Sequence, residues 1–219
     1  MKSENVKTVV FDFDYTLADS SQGVVECVGF ALSRLGLPPV SPEAIRPTIG
    51  LSLTDTLHRL TGIQDATLCD AFARRFVERA DEVMVDCTRM FDYVGDMVAS
   101  LRRSGRALGI ASTKFAYRIR RILERDGLKD CFDVVVGGEM VSRHKPDPEA
   151  LLCAIKELGG ATNASLYVGD SVTDAETARR AMTPFVAVLS GVTPRQAFTG
   201  YSVEAVLDDA SQLPRLLGC

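Results

Sequence analysis

No stretch of the 219-residue chain approaches the roughly 18 consecutive apolar residues that a membrane-spanning helix needs. No block of like charge and no basic stripe is present, so neither a membrane nor a nucleic acid is an expected partner. With a net charge of −4, any anionic ligand must be held by local groups or a metal rather than by the overall field. The six cysteines (Cys27, Cys69, Cys87, Cys131, Cys153 and Cys219) lack any C-x-x-C pairing, which argues against a zinc site or a disulfide frame. They read as reduced, packing thiols of a cytoplasmic protein. Near the start, Asp12 and Asp14 interrupt the short apolar stretch, so it is not expected to act as a secretory leader. Gly and Pro number 17 and 9, too few for a low-complexity or collagen-like chain, and no internal repeat is present. What remains is 46% hydrophobic and 25% charged, the proportions of a globular protein, in a length between one domain and two.

Residues 7–13 form an apolar, β-branched and aromatic run that predicts a strand buried on both faces. Helical spacing then dominates. Val24, Cys27, Val28, Ala31, Leu32 and Leu35 fall on one face of a helix that Gly36 and Pro38-Pro39 end. Ser41-Pro42-Glu43 opens a short helix, and two more are predicted over 53–60 and 66–84. Beyond Met90 strands and helices alternate: helix 94–103, strand 107–111, helix 116–126, strand 132–136, helix 147–158, strand 165–168, helix 172–181, strand 185–189, strand 203–207 and helix 211–217. The expected fold is α/β, a Rossmann-like parallel sheet core of residues 1–18 and 85–219, with an all-helical cap of residues 19–84 inserted after the first strand. Ligands in such sheets bind beyond the carboxyl ends of the strands.

Four polar clusters fall there: Asp12-Phe13-Asp14-Tyr15-Thr16, Ser112-Thr113-Lys114, His144-Lys145-Pro146-Asp147, and Gly169-Asp170-Ser171-Val172-Thr173-Asp174. Asp12 and Asp14, two apart, can address one space. Two unit charges about 4 Å apart repel by roughly 4 kcal/mol at an effective dielectric of 20. If the Asp170/Asp174 pair converges on them, a divalent cation is the simple remedy, and oxygen-only ligands favour magnesium over zinc. Each Asp alone also suits a turn or a helix cap. Thr113 is placed to help cap the helix at 116, while Ser112, nearer the strand, can donate to a phosphate oxygen. Lys145 precedes Pro146, and Asp147-Pro148 reads as the cap and first position of the next helix. Arg46, Ser52 and Thr54 surround a loop that could face the site; His58 reads as a packing or surface residue, and Glu176/Arg180 as a helix-surface ion pair.

In order, D-F-D-Y-T, S-T-K, K-P-D-P-E and G-D-S-V-T-D closely resemble the haloacid dehalogenase-like hydrolase superfamily, and FDFDYTLADS followed by a helical insertion resembles its phosphoglycolate phosphatase-like branch with a small helical cap. The resemblance spans nearly the whole chain and departs at Tyr15, where Gly is usual. It implies a phosphatase acting on a small phosphorylated metabolite. Asp12 would be the nucleophile and Asp14 the general acid and base. Mg2+ would be held by the Asp12 and Asp170 side chains and the Asp14 backbone carbonyl. Ser112, Thr113 and Lys145 would bind phosphate, while Asp174 and Thr16 support the site from behind. The helical cap would act as a lid.

Phosphoglycolate is the first specific candidate and pyrophosphate the nearest competitor. A phosphosugar mutase of the superfamily would carry a histidine in the first cap helix, and residues 21–26 hold none; a dehalogenase would lack Asp14. A non-catalytic relative would be expected to have lost an acidic group, and a phospho-accepting receiver would be about half this length. The sequence carries no mark of oligomeric state.

Overall fold

The computed structural model of the protein describes residues 5–219; residues 1–4 of the expected segment 1–18 lie outside the described residues. Following the chain, β1 (Thr8–Phe11) is buried along its length and leads to a two-residue strand, β2 (Ala18–Asp19). Four helices follow: α1 (Ser21–Arg34), α2 (Pro42–Ile45), α3 (Leu53–Thr61) and α4 (Ala66–Val83). Their starts are written in the sequence, since Ser41, Ser52 and Asp65 each accept the N–H of the residue three positions on. The chain returns through β3 (Arg89–Met90), antiparallel to β2. It then alternates through α5 (Val94–Arg103), β4 (Ala107–Ala111), α6 (Ala116–Arg125), β5 (Val134–Val136), α7 (Glu149–Glu157), β6 (Ser165–Gly169), α8 (Val172–Ala181), β7 (Phe185–Val188), β8 (Ala205–Leu207) and α9 (Leu213–Leu216).

The six long-range strands form one parallel sheet in the order β5-β4-β1-β6-β7-β8. Side-chain alternation divides its burial. Val9, Phe11, Leu108, Ile110 and Val168 pack under α5, α6 and α9, whereas Val10, Ala111, Tyr167 and Phe185 pack under α7 and α8. Covering on both faces is why these strands read as continuous apolar runs. Helices α1 to α4 bury a third set of their own, including Val28, Leu57, Phe72 and Met84.

Several expected elements shift, among them β8, which begins at Ala205 instead of 203. The strand expected from 132 begins at Val134, because Phe132 meets Phe11 edge-on at 6.1 Å and the Asp133 carboxylate accepts the Leu108 N–H at 2.9 Å. The helix expected from 147 begins at Glu149, with Pro148 at its cap; Asp147 still accepts the Glu149 N–H at 3.1 Å. The last expected helix divides into a 3-10 turn, Ala210–Gln212, and α9.

Candidate active site

Parallel pairing places Phe11 opposite both Ile110 of β4 and Val168 of β6. The residues just beyond these strands, Asp12, Ser112 and Asp170, therefore open on one edge of the sheet. There the chain switches from one side of β1 to the other, the usual ligand crevice of an open parallel sheet. The Asp12 N–H continues the ladder to Val168 O at 2.8 Å and the Ser112 N–H continues it to Val136 O at 3.1 Å.

Carboxylate oxygens of Asp12, Asp170 and Asp174 lie within 4.8 Å of one another, all three residues buried. Lys145 reaches in from the loop after β5. Its Nζ lies 2.8 Å from Asp12 Oδ1 and donates to Asp174 Oδ1 at 2.7 Å, and its side chain is 3% exposed. The contact with Asp12 is ionic without hydrogen-bond alignment, so Asp12 Oδ1 remains a buried oxygen with no hydrogen-bond partner. Asp174 is fully engaged: Oδ1 also accepts Tyr167 OH at 2.9 Å, and Oδ2 accepts Ser171 Oγ at 2.6 Å and Ser171 N–H at 3.2 Å. Ser171 Oγ in turn accepts the Asp174 N–H, closing a capping box on α8. Asp174 thus caps α8 and at the same time belongs to the buried acidic cluster.

Asp14 is not part of that carboxylate cluster. Ser20 Oγ donates to its Oδ1 at 2.6 Å and Lys114 Nζ lies 3.1 Å from the same oxygen, with all three residues buried. Directly after Asp14, Tyr15 takes φ +60°, the left-handed region that explains why Gly is usual there. Its N–H donates to Ala18 O at 2.7 Å and its carbonyl accepts Ser190 Oγ at 2.5 Å, which fixes the turn. Thr16 is fully buried, its Oγ1 lacking a hydrogen-bond partner.

One expectation is corrected. Thr113 does not cap α6: its hydroxyl donates to Gly50 O at 3.2 Å, across to the loop before α3. The cap is supplied by Glu139, whose carboxylate accepts the Ala116 N–H at 2.9 Å. A Cβ on Gly137 would sit 2.1 Å from Ala116 N, so only glycine lets that loop approach. Ser112 stays at the strand end, 2% exposed, with Oγ accepting the Lys114 N–H at 3.4 Å.

A cavity of about 290 Å3 opens beside Asp14, between residues 48–54, α4 and the start of α6. Ser52, Thr54 and His144 line it; Arg46 is exposed and outside this lining, though its charge acts on Tyr15, and the exposed His58 pairs with Gln64 at 3.0 Å. Glu176 forms the expected surface pair with Arg180 at 2.7 Å and another with Arg179.

The sequence profile of the haloacid dehalogenase-like hydrolases matches residues 9–188. The chain belongs to this family. A phosphoglycolate phosphatase of Xanthomonas campestris is 32% identical over 185 residues, covering 84% of each chain. An N-acetylmuramic acid 6-phosphate phosphatase of Pseudomonas aeruginosa is 27% identical, covering 97% of this chain and 95% of its own. Among solved structures, a protein described as a haloacid dehalogenase-like hydrolase from Bacteroides fragilis superposes with a TM-score of 0.92 at 39% identity, covering 95% of this chain and 99% of that one. This haloacid dehalogenase-like hydrolase is accordingly a phosphatase.

The donor set of this hydrolase fits a hard divalent cation. Its ligand atoms are carboxylate oxygens, and three carboxylates against the one ammonium of Lys145 leave two negative charges when all are ionised. Burial, with the charges of Asp174 and Asp14, raises the Asp12 carboxyl to about 6 despite Lys145. Burial, with the charges of Asp174 and Asp12, holds Asp170 well above the ordinary carboxylate range. Burial by itself would depress Lys145, but the facing Asp12 and Asp174 outweigh it and hold the ammonium above its usual value. A Cβ on Gly191 would lie 1.9 Å from Asp170 Oδ2, so glycine there keeps the space beside that oxygen open.

The sign of the pH effect follows. A carboxyl whose folded pKa is raised stabilises the fold fully below its unfolded value near 4, and that contribution is lost as pH rises through about 6. The loss is on the order of 3 kcal/mol for Asp12. Metal-free protein is therefore expected to melt at a lower temperature at pH 7.5 than at pH 5.5. Added Mg2+, which requires the ionised carboxylates, should raise the melting temperature far more at pH 7.5. Equal Mg2+ stabilisation at both values would count against a site built on these acids.

Lys114, Ser20, Tyr167 and Ser171 were not assigned from sequence. Lys114 offered the clearest signal, a cation directly after a buried strand end, but its partner Asp14 is 100 residues earlier.

Proposed function

We propose that this phosphatase is magnesium-dependent and cleaves a small phosphomonoester through an aspartyl-phosphate on Asp12. The carrying observation is the convergence of Asp12, Asp170 and Asp174 within 4.8 Å, with Lys145 between them. Asp12 and Asp170 side chains, with the Asp14 carbonyl, would hold Mg2+, which when bound supplies positive charge to the clustered carboxylates and to the phosphoryl oxygens. Asp12 attacks phosphorus, the bond to the ester oxygen breaks, and Asp14 delivers its proton to that oxygen. Asp14 then takes a proton from water as it attacks; the bond to Asp12 breaks and inorganic phosphate leaves. Ser112 and Lys145 hold the phosphoryl oxygens, because phosphoryl transfer is governed by positioning and charge. Lys114 and Ser20 orient Asp14, and Tyr167 and Ser171 fix Asp174, which restrains Lys145.

Residues 19–84 serve as the cap, with the cavity beside Asp14 receiving the leaving group. The relatives' substrates make phosphoglycolate the first named candidate. Among the described residues no helix is long and apolar enough to cross a membrane, and all six thiols are free, as suits the cytoplasm. The test is phosphate release from an aryl phosphate: it should require Mg2+ and stop on chelation. Turnover unaffected by chelation would overturn the assignment.

A further inference from the structure

We propose that Tyr15 is a positioning residue for Asp14: its ring braces the first turn of α1, and that turn aims the proton-carrying carboxyl. The inference rests on the phosphatase reading and deepens it. Left-handed backbone is unfavourable for a bulky side chain, and such strain persists only where the surroundings over-determine it. Here main-chain groups hold the turn, the Tyr15 N–H donating to Ala18 O and the Tyr15 carbonyl accepting Ser190 Oγ. Glycine would make both bonds at φ +60° without strain, so the backbone gives no reason for a ring. Core packing gives none either. Tyr15 is 7% exposed, yet it belongs to none of the three apolar clusters of the described residues and does not line the cavity beside Asp14.

The side chain lies instead between the catalytic edge of the sheet and the start of α1. On the sheet side, a Cβ on Gly191 would come within 3.0 Å of Tyr15 Cβ. On the other side, the phenol reaches the Ser21 side chain and lies in the field of Asp19 and Arg46. Ser21 opens α1, and Ser20 before it holds the cap position of that helix. The Ser20 hydroxyl makes no cap bond. It donates to Asp14 Oδ1 at 2.6 Å, and the Asp19 carboxylate accepts the Ser21 N–H at 2.8 Å in its place. A serine withdrawn from its helix end to hold a carboxylate ties the direction of Asp14 to the position of that turn. Lys114 Nζ, 3.1 Å from the same oxygen, adds charge; the hydroxyl of Ser20 adds direction. Proton delivery needs Asp14 within hydrogen-bond reach of the ester oxygen, so a turn that drifts takes the proton out of line. Tyr15 is the side chain placed to stop that drift.

The test turns on the leaving group. Nitrophenolate departs as a stable anion and needs no proton, whereas an alkoxide does. With saturating Mg2+, kcat/KM is compared for 4-nitrophenyl phosphate and for the best cleaved of phosphoglycolate, glycerol 3-phosphate and a hexose 6-phosphate. Tyr15→Gly is expected to lower the alkyl value about tenfold or more and the aryl value by less than about threefold. Its metal-free melting temperature should stay within about five degrees of the parent or rise, since glycine adopts this backbone freely. Tyr15→Phe keeps the ring, and should return the alkyl-to-aryl ratio to within about threefold of the parent. A ratio changed less than about threefold by Tyr15→Gly, or a Tyr15→Phe ratio as low as that of Tyr15→Gly, would overturn the brace and leave the phosphatase reading intact. So would a larger fall in melting temperature, which would make Tyr15 a packing residue. A parent protein that cleaves only the aryl ester would deny Asp14 its proton-donating part, and the brace with it. Release of phosphate from none of the esters would overturn the phosphatase reading itself.

Discussion

Asn in place of Asp12 is expected to lower phosphate release by roughly 10^4-fold or more, the scale seen when a nucleophile is removed from a site whose binding groups remain. The substitution keeps the shape of the side chain and deletes its nucleophilic oxygen. Folding should survive. Lys145 keeps its 2.7 Å bond to Asp174, and the buried carboxyl that now resists ionisation is gone. Metal-free Asp12→Asn protein should therefore melt within a few degrees of the parent at pH 7.5, or above it, and should gain less from Mg2+. Single-turnover phosphate release and thermal melting on the same preparation check both halves. A variant that retains most of its rate would move the nucleophile elsewhere, whereas a large fall in metal-free melting temperature would mean that Asp12 is mainly structural.

Lys145→Met should act on stability and rate together. The ammonium is the only cation facing Asp12 and Asp174 among the described contacts, and it is buried with them. Removing one partner from a buried charge pair costs about 3–5 kcal/mol, because the remaining charges lose their compensation. Methionine retains most of the volume, which isolates the charge. The rate should fall by about 10^2 to 10^3, the scale for losing one preorganised group that stabilises transition-state charge. Mg2+ should restore more melting temperature to this variant than it adds to the parent, since it brings positive charge to the same carboxylates. A near-parental rate would remove Lys145 from the proposed phosphate site, and equal Mg2+ effects on both proteins would argue against the shared carboxylates.

Much of this centre was legible because its residues sit at strand ends, and strand ends are marked by the change from apolar runs to polar clusters. Asp12, Ser112 and Asp170 follow β1, β4 and β6, and once the order of the parallel sheet is known their proximity is unavoidable. The start of α2 was equally clear, because Ser41 supplies a local hydroxyl cap ahead of Pro42. Pairings across long separations were not. The Glu139 carboxylate that caps α6 comes from 23 residues downstream, so the nearby Thr113 was the natural but incorrect choice. Tyr167 lies inside a strand, where its aromatic ring predicts core packing and conceals the hydroxyl's bond to Asp174. Arg118 recurs with the apolar residues of α6, and nothing local announces that Asp81 would neutralise it.

The short antiparallel pair β2 and β3 has a different consequence. Ala18 faces Met90 and Asp19 faces Arg89, so the outgoing and incoming chain run side by side, with paired Cα atoms about 5 Å apart. Whatever lies between them is attached like a cassette held at both ends by one clasp. A loop or a longer bundle spliced between Asp19 and Arg89 would leave the threading of the sheet untouched, making this the natural seam for exchanging specificity between phosphatases without rebuilding their chemistry.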